Sequence, residues 1–291
     1  MHTFLPTRRG VVSGLSLIAS RAQAQRSVPP DGTPIRFGLT PVFLDSDLEL
    51  LRDIEGYLAA ATGTSVQLVK RRTYQEVTSL LLSRQLDAAW ICGYPFVQNR
   101  DRLALLSVPL HRGRPLYRSY LIAEAASPAD DLSALRGQSH AFSDPDSNSG
   151  FLVTRWLLAR ERERPETFFS RSFFAYGHRN VIRAVGAGLA QSGSVDGYVW
   201  EVMAEREPRL TDATRIVARS DWHGFPPICC PVEMQNERGV QALAAALDQM
   251  PHTQLGARIL ATLQLDGWVR GDPAWFDGIA RMSADVRGAP T

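Results

Sequence analysis

The sequence contains no Gly-x-Ser-x-Gly elbow, no His-Glu-x-x-His pair, no Gly-x-x-x-x-Gly-Lys loop and no Cys-x-x-Cys spacing. Without them, the common signatures of serine hydrolases, zinc peptidases, phosphate-loop nucleotidases and structural zinc sites are missing. Gly186-Ala187-Gly188 lacks the third glycine of a dinucleotide loop, and no nucleophile and base stand together, so no enzyme class, cofactor or metal is expected. No run after the first residues approaches the ~18 apolar residues that a membrane helix needs. A sustained basic face is missing too, which gives no reason to expect nucleic acid. Arg71-Arg72 is short, and Arg160-Glu161-Arg162-Glu163-Arg164 alternates in sign like a solvated helix surface. Cysteine is scarce and odd in number, at three; Cys229 and Cys230 are adjacent and poorly placed to bridge, so at most Cys92 could pair with one of them.

What is present begins with residues 1–24, which have the form of an export signal. Thr7-Arg8-Arg9-Gly10 precedes the weakly apolar run Val11 to Ala19, and Ala22-Gln23-Ala24 has the small-x-small form of a cleavage site. The segment resembles a twin-arginine export signal, so the mature chain is expected to be soluble in the periplasm. Removing Arg8, Arg9 and Arg21 lowers Lys+Arg from 32 to 29 against 30 acidic residues, so the formal charge moves from +2 to −1. At 44% hydrophobic and 21% charged residues, the remainder can bury a core of one large or two moderate domains.

The stretch Asp144-Pro145-Asp146-Ser147-Asn148-Ser149-Gly150 organises the rest. Two hydroxyls and an amide sit where a proline-containing loop turns into a helix, so unpaired first-turn N–H groups and side-chain donors can converge on one point. A helix start can hold a phosphate-like group without Lys or Arg.

After a linker over residues 25–34, Ile35 to Leu39 alternates as a strand. Ser46-Asp47-Leu48-Glu49 opens a helix with Leu44, Leu48, Leu51, Ile54 and Leu58 as its apolar stripe, and Gly63 stops it. Ser65 to Lys70 is a strand, Thr73-Tyr74-Gln75-Glu76 caps a second helix, and Asp87 to Cys92 is a buried strand. Leu103 to Val108 and Leu116 to Ala123 read as extended runs. A second series follows: a short helix over Asp131 to Arg136, strands over Ser139–Phe142 and Ser172–Tyr176, and a helix after Gly177 with Val181, Ile182, Val185 and Leu189 inward. Val195–Trp200 and Arg215–Ala218 read as strands, Phe225–Cys230 as an extended return, and three helical segments finish the chain. Two α/β series joined by extended runs predict two hinged lobes around a ligand cleft. The boundaries read are 35–118 for lobe 1, 119–230 for lobe 2, and 231–291 for C-terminal helices packing back on lobe 1 and the hinge.

In this order the landmarks carry a family resemblance. They are Tyr74 at a helix start, Asp87 to Trp90, Gly113 to Ala123 with Tyr117, Asp144-Pro145-x-Ser147-x-Ser149-Gly150-Phe151-Leu152-Val153, Gly177-His178 and Val195-Asp196. The chain resembles the phosphonate/phosphite/phosphate-type periplasmic binding proteins of ABC importers, within the type 2 periplasmic binding proteins. The resemblance implies that Ser147, Asn148 and Ser149 bind oxyanion oxygens, that His178 adds a donor, and that Tyr74 and Tyr117 offer phenols. It also implies an ABC permease as partner. The return Gly224 to Ile228 carries no acid at the position where relatives that take aminoalkyl phosphonates place one, so such ligands are disfavoured. Cys92 falls where relatives often have a small residue facing the cleft. Arsenite-sensing relatives use a cleft cysteine, which leaves as the alternative an arsenite sensor acting through Cys92 and a histidine kinase.

Overall fold

The computed structural model describes residues 1–2, 33–41 and 47–288. The export segment and most of the linker therefore lie outside the described residues, as do Leu44 and Ser46.

Strands β1 (Ile35–Leu39), β2 (Val66–Lys70), β3 (Ala88–Trp90) and β4 (Leu103–Leu110) open the chain, with helices α1 (Leu48–Thr62), α2 (Tyr74–Leu82) and α3 (Gly93–Gln98) between them. β1 pairs in parallel with both β2 and β3, the arrangement that two β-α-β crossovers produce. The capping box at α2 forms as its sequence requires: Thr73 Oγ1 accepts from the Glu76 amide, and Glu76 accepts from the Thr73 amide. At α1 the cap is the Asp47 carboxylate, and the inward residues are Leu50, Ile54, Tyr57 and Leu58. Leu48, expected inside, is the first residue of the helix and is 62% exposed, while Ile54 and Leu58 of the same stripe are buried against the packing of α9 and α10.

The run expected over Leu116 to Ala123 splits into β5 (Leu116–Tyr117) and β6 (Ser119–Glu124), which belong to different sheets. Then follow β7 (Ser139–Phe142), α4 (Val153–Arg160), α5 (Pro165–Phe168), β8 (Arg171–Phe174), α6 (His178–Gly186), β9 (Ser192–Asp196), α7 (Gly197–Arg206), α8 (Pro208–Thr211) and β10 (Thr214–Arg219). The second sheet has the order β10-β6-β9-β7-β8, with β7 parallel to β8 and β9. The strand expected over Val195–Trp200 ends at Asp196, whose carboxylate accepts from the Tyr198 and Val199 amides and so starts α7. Leu189, expected inward on α6, lies beyond its last turn and is 66% exposed.

The chain returns through β11 (His223–Gly224) and β12 (Ile228–Pro231), then α9 (Arg238–Gln249), α10 (Gln254–Leu263), β13 (Gly267–Arg270) and α11 (Asp277–Gly288). β11 pairs antiparallel with β5, so the two segments that pass between the sheets bond to each other. The return, expected at the end of the second lobe, instead enters the first sheet. Its order is β13-β4-β12-β3-β1-β2, and β13 is an edge strand that the expected three-helix ending did not contain. Gly267 and Gly271 flank so short an apolar run, Trp268-Val269, that no strand period stands out. α11 packs on α3 of one lobe and α4 of the other, and Trp156 Nε1 donates to Asp285 across that contact at 2.9 Å.

Candidate functional site

The loops that leave the C-terminal ends of the parallel strands face one another between the sheets, where open α/β sheets place their ligands. Tyr74 follows β2, Cys92 follows β3, the Asp144 to Ser149 loop follows β7, His178 follows β8, and Asp196 ends β9. Tyr117 sits on β5, one of the two crossing strands. All seven residues singled out in the sequence (Tyr74, Cys92, Tyr117, Ser147, Asn148, Ser149 and His178) are buried there.

The seat is built by local bonds. Asp144 Oδ1 accepts from the Asp146 amide at 2.8 Å, the turn that Asp-Pro favours. Ser147 Oγ accepts from the Gly150 amide at 2.9 Å and caps the helix. The helix expected to begin near Gly150 starts earlier, as a π-helical turn over Asn148–Leu152 that runs into α4. The wide turn is closed by Ser143, whose amide donates to the Gly150 carbonyl and whose hydroxyl lies over Gly150 Cα; a Cβ there would meet Ser143 Oγ at 1.8 Å. Beneath, Thr154 Oγ1 shares a 2.6 Å bond with Ser194 Oγ, and both ring nitrogens of His140 bond Ser192 and Ser194 at 2.8 Å. Burial lowers the His140 pKa to about 3, so this support is uncharged.

Across the cleft the contacts are specific. Asp144 Oδ2 accepts the Tyr74 amide at 3.1 Å, the Asn148 amide donates to Cys92 Sγ at 3.3 Å, and Asn148 Nδ2 donates to the Tyr117 oxygen at 2.9 Å. His178 Nδ1 accepts the Asp196 amide at 3.0 Å, and its Nε2 lies 3.2 Å from the Tyr74 oxygen. Burial pushes the His178 pKa down to about 3, so the ring is neutral and its single proton is on Nε2, donated to Tyr74. Both phenols therefore accept a bond from the second lobe and each keeps its own O–H to donate. Burial holds both well above the ordinary tyrosine pKa, so those protons stay on.

No described residue accepts from the Ser149 amide, while Ser119 Oγ donates to its carbonyl at 2.6 Å. Ser147 Oγ serves as the helix cap, and Asn148 gives its amide to Cys92 and one side-chain N–H to Tyr117, which leaves its second side-chain N–H and the Ser149 amide. Asp144 and Asp196 were not singled out as site residues. Their signals were legible as an Asp-Pro turn and as an Asp before an apolar helix start. Burial raises the Asp196 pKa to about 7 and raises that of Asp144.

The three cysteines are free, and burial pushes the Cys92 pKa up to about 12, so its sulfur is a thiol that accepts an amide bond. Cys229 and Cys230 lie in β12, within the first sheet. Among the described residues no cluster of His, Cys, Asp or Glu is arranged to hold a metal, and no helix is long and apolar enough to cross a membrane.

A two-lobed α/β fold with strand-end donors around one cleft defines a type 2 periplasmic binding protein. The sequence profile of the family described as "ABC transporter, phosphonate, periplasmic substrate-binding protein" matches residues 37–276, and the chain belongs to that family. It is thus the extracytoplasmic substrate-binding component of an ABC transporter, and the family carries no support for the sensor alternative. Among solved structures, the chain is similar to a binding-protein component of an ABC phosphonate transporter from Pseudomonas aeruginosa. There the TM-score is 0.80 at 18% identity, over 88% of this chain and 87% of that one. It is also similar to PhnD1 from Prochlorococcus marinus in complex with methylphosphonate, with a TM-score of 0.76 at 15% identity over 87% and 98%. A Xanthomonas citri protein bound to ATP gives 0.70 at 17% over 89% and 100%. At these identities the likenesses establish the fold.

The Ser143–Gly150 contact makes a prediction about the seat. Gly150→Ala should lower unfolding stability by about 1–3 kcal/mol, as overpacking does, and adding Ser143→Gly should restore most of it. Urea unfolding of the single and double variants checks this; equal stability of wild type and Gly150→Ala would show that the turn is not closed by that contact.

Proposed function

We propose that the cleft captures a small tetrahedral oxyanion of the phosphonate, phosphite or phosphate type, held by Tyr74, Tyr117, Asn148 and Ser149, with His178 acting through the Tyr74 phenol that it orients, for delivery to the ABC permease. The observation that carries this reading is the pair of phenols. Each is loaded as an acceptor by the opposite lobe, Tyr74 by His178 and Tyr117 by Asn148, so each presents a proton to the cleft. Hydroxyl and amide donors satisfy oxygen atoms, and no Lys or Arg is needed if several donors converge. Bonds to a charged group contribute about 1.5–3 kcal/mol each, so three or four reach micromolar affinity after association costs. The donors come from both lobes, so closure is part of binding.

The carboxylates argue against an aminoalkyl substituent. Asp144 is engaged by the Tyr74 and Asp146 amides and Asp196 by two helix amides, which leaves neither arranged around an ammonium. The thiol of Cys92, held protonated, is a small wall group in this reading. Export through the twin-arginine route belongs to the same proposal and rests on Arg8 and Arg9.

Tyr74→Phe and Tyr117→Phe should each weaken methylphosphonate or phosphite binding by about 10–100-fold, with the fold intact, as measured by calorimetry. Undiminished affinity in both folded variants would place the oxyanion elsewhere.

Asp196 gives a pH dependence. An anion bound beside it favours its protonated form still further, so affinity is full at acidic pH and declines as pH rises through about 7. The same raised pKa makes its contribution to folding present below the ordinary carboxylate range and lost through about 7. Asp196→Asn should flatten the affinity profile; because the ligand's own ionisation is common to both proteins, their difference isolates Asp196. Identical profiles would contradict the linkage.

Replacing Arg8 and Arg9 together by lysine should leave the precursor inside the cell; fractionation showing unchanged periplasmic yield would remove the twin-arginine inference alone.

A further inference from the structure

On the far side of Ser119 from the seat, a second concavity of about 740 Å³ runs between β6, β10 and α4 of the second lobe and the C-terminal helix α11. Its size lies within the range of small-molecule sites, and it sits where two lobes and a bridging helix meet. Val153, Leu157 and Met282 give it an apolar floor, and Trp156 and Trp222 stand on its walls. Arg160, Arg219 and Arg281 line it together with Asp221 and Asp285, so cations exceed anions by one; Asp285 accepts from Trp156 Nε1, and none of the three arginines forms an ion pair among the described residues.

His223 is the second and independent observation. It lines the same groove, is 95% buried by its 5% relative exposure, and neither of its ring nitrogens has a hydrogen-bond partner. An unpaired buried polar group is destabilising, so two on one ring are not what a closed core would keep. β11 holds the ring by pairing with β5, and Gly278 of α11 leaves space beside it: a Cβ there would approach Nδ1 to 3.5 Å. Burial holds the ring neutral, with a pKa of about 4, so it offers one N–H donor and one nitrogen acceptor.

We infer that this groove is a second binding site, separate from the oxyanion cleft, for a small organic acid with an aromatic or apolar body that carries a further hydroxyl or amide. The carboxylate would meet the guanidinium groups, the body would lie on the tryptophans and floor, and the hydroxyl would donate to the acceptor nitrogen of His223. Arginine suits this role because its planar fork matches a carboxylate.

The probe is 4-hydroxybenzoate, titrated into the full mature chain while the ring nitrogens of His223 are followed by long-range proton–nitrogen correlation spectra. Saturable shifts are expected at a dissociation constant below about 1 mM, a value ordinary for a ligand of this size. Saturating methylphosphonate should not displace the probe, and Arg281→Ala, an exposed change that leaves the core alone, should weaken it at least about fivefold. His223→Phe should abolish it where the variant folds. No saturable response up to about 10 mM, displacement by methylphosphonate, or unchanged affinity in Arg281→Ala would each overturn the inference. None of these results bears on the oxyanion cleft, which Tyr74→Phe and Tyr117→Phe test separately.

Discussion

One carboxylate does two jobs on opposite sides of the cleft. Asp144 folds its own loop by accepting the Asp146 amide, and with its other oxygen it accepts the amide of Tyr74, the first residue of α2. That amide is one of the orphans that every helix start leaves, so the bond satisfies a buried donor that would otherwise be unpaired. Because the loop belongs to the second sheet and α2 to the first, the same bond registers the lobes. It places the Tyr74 phenol against His178 and the Asn148 amide against Cys92.

Everything else in the cleft follows from the absence of a cation among the donors. Neutral groups hold an anion only when several converge with their protons pointing inward. The neutral state of His178, its tautomer fixed by the Asp196 amide, and the Asn148 to Tyr117 bond set those directions for the phenols. The buried support under the seat, from Thr154 through Ser194 to His140, is uncharged as well, so the site is polar throughout without a fixed net positive charge. In the proposed reading such a site draws on both lobes, with the Tyr74 and Tyr117 phenols on one side and Asn148 and Ser149 on the other. The paired crossing strands β5 and β11 leave the lobes joined where Tyr117 stands.

Much of this was legible in the residues. The capping box at Thr73, the Asp-Pro turn and the strand periods place Tyr74, the seat and His178 at strand ends, and the family landmarks put them in one cleft. What was not legible has physical reasons. A π turn has no composition signal, and the Ser143 amide that bonds the Gly150 carbonyl comes from outside the turn. The helix at Gly197 hides behind Val195 to Trp200, a β-rich run that the Asp196 cap overrides. β12 and β13 join the first sheet through pairings far apart in sequence, and local patterns do not report such partners. Leu48 and Leu189 show the same limit, since an apolar period gives a helix face but not where the helix begins and ends.

The central claim is that this cleft takes a phosphorus oxyanion through hard, neutral donors. Thermal unfolding of the mature chain with phosphate, phosphite, methylphosphonate and arsenite tests it most directly. A cleft ligand at 100 times its dissociation constant adds about 2.7 kcal/mol of stability. The account predicts a concentration-dependent rise in Tm with at least one phosphorus oxyanion and none with arsenite. A rise with arsenite alone, or with none of the four, would contradict it.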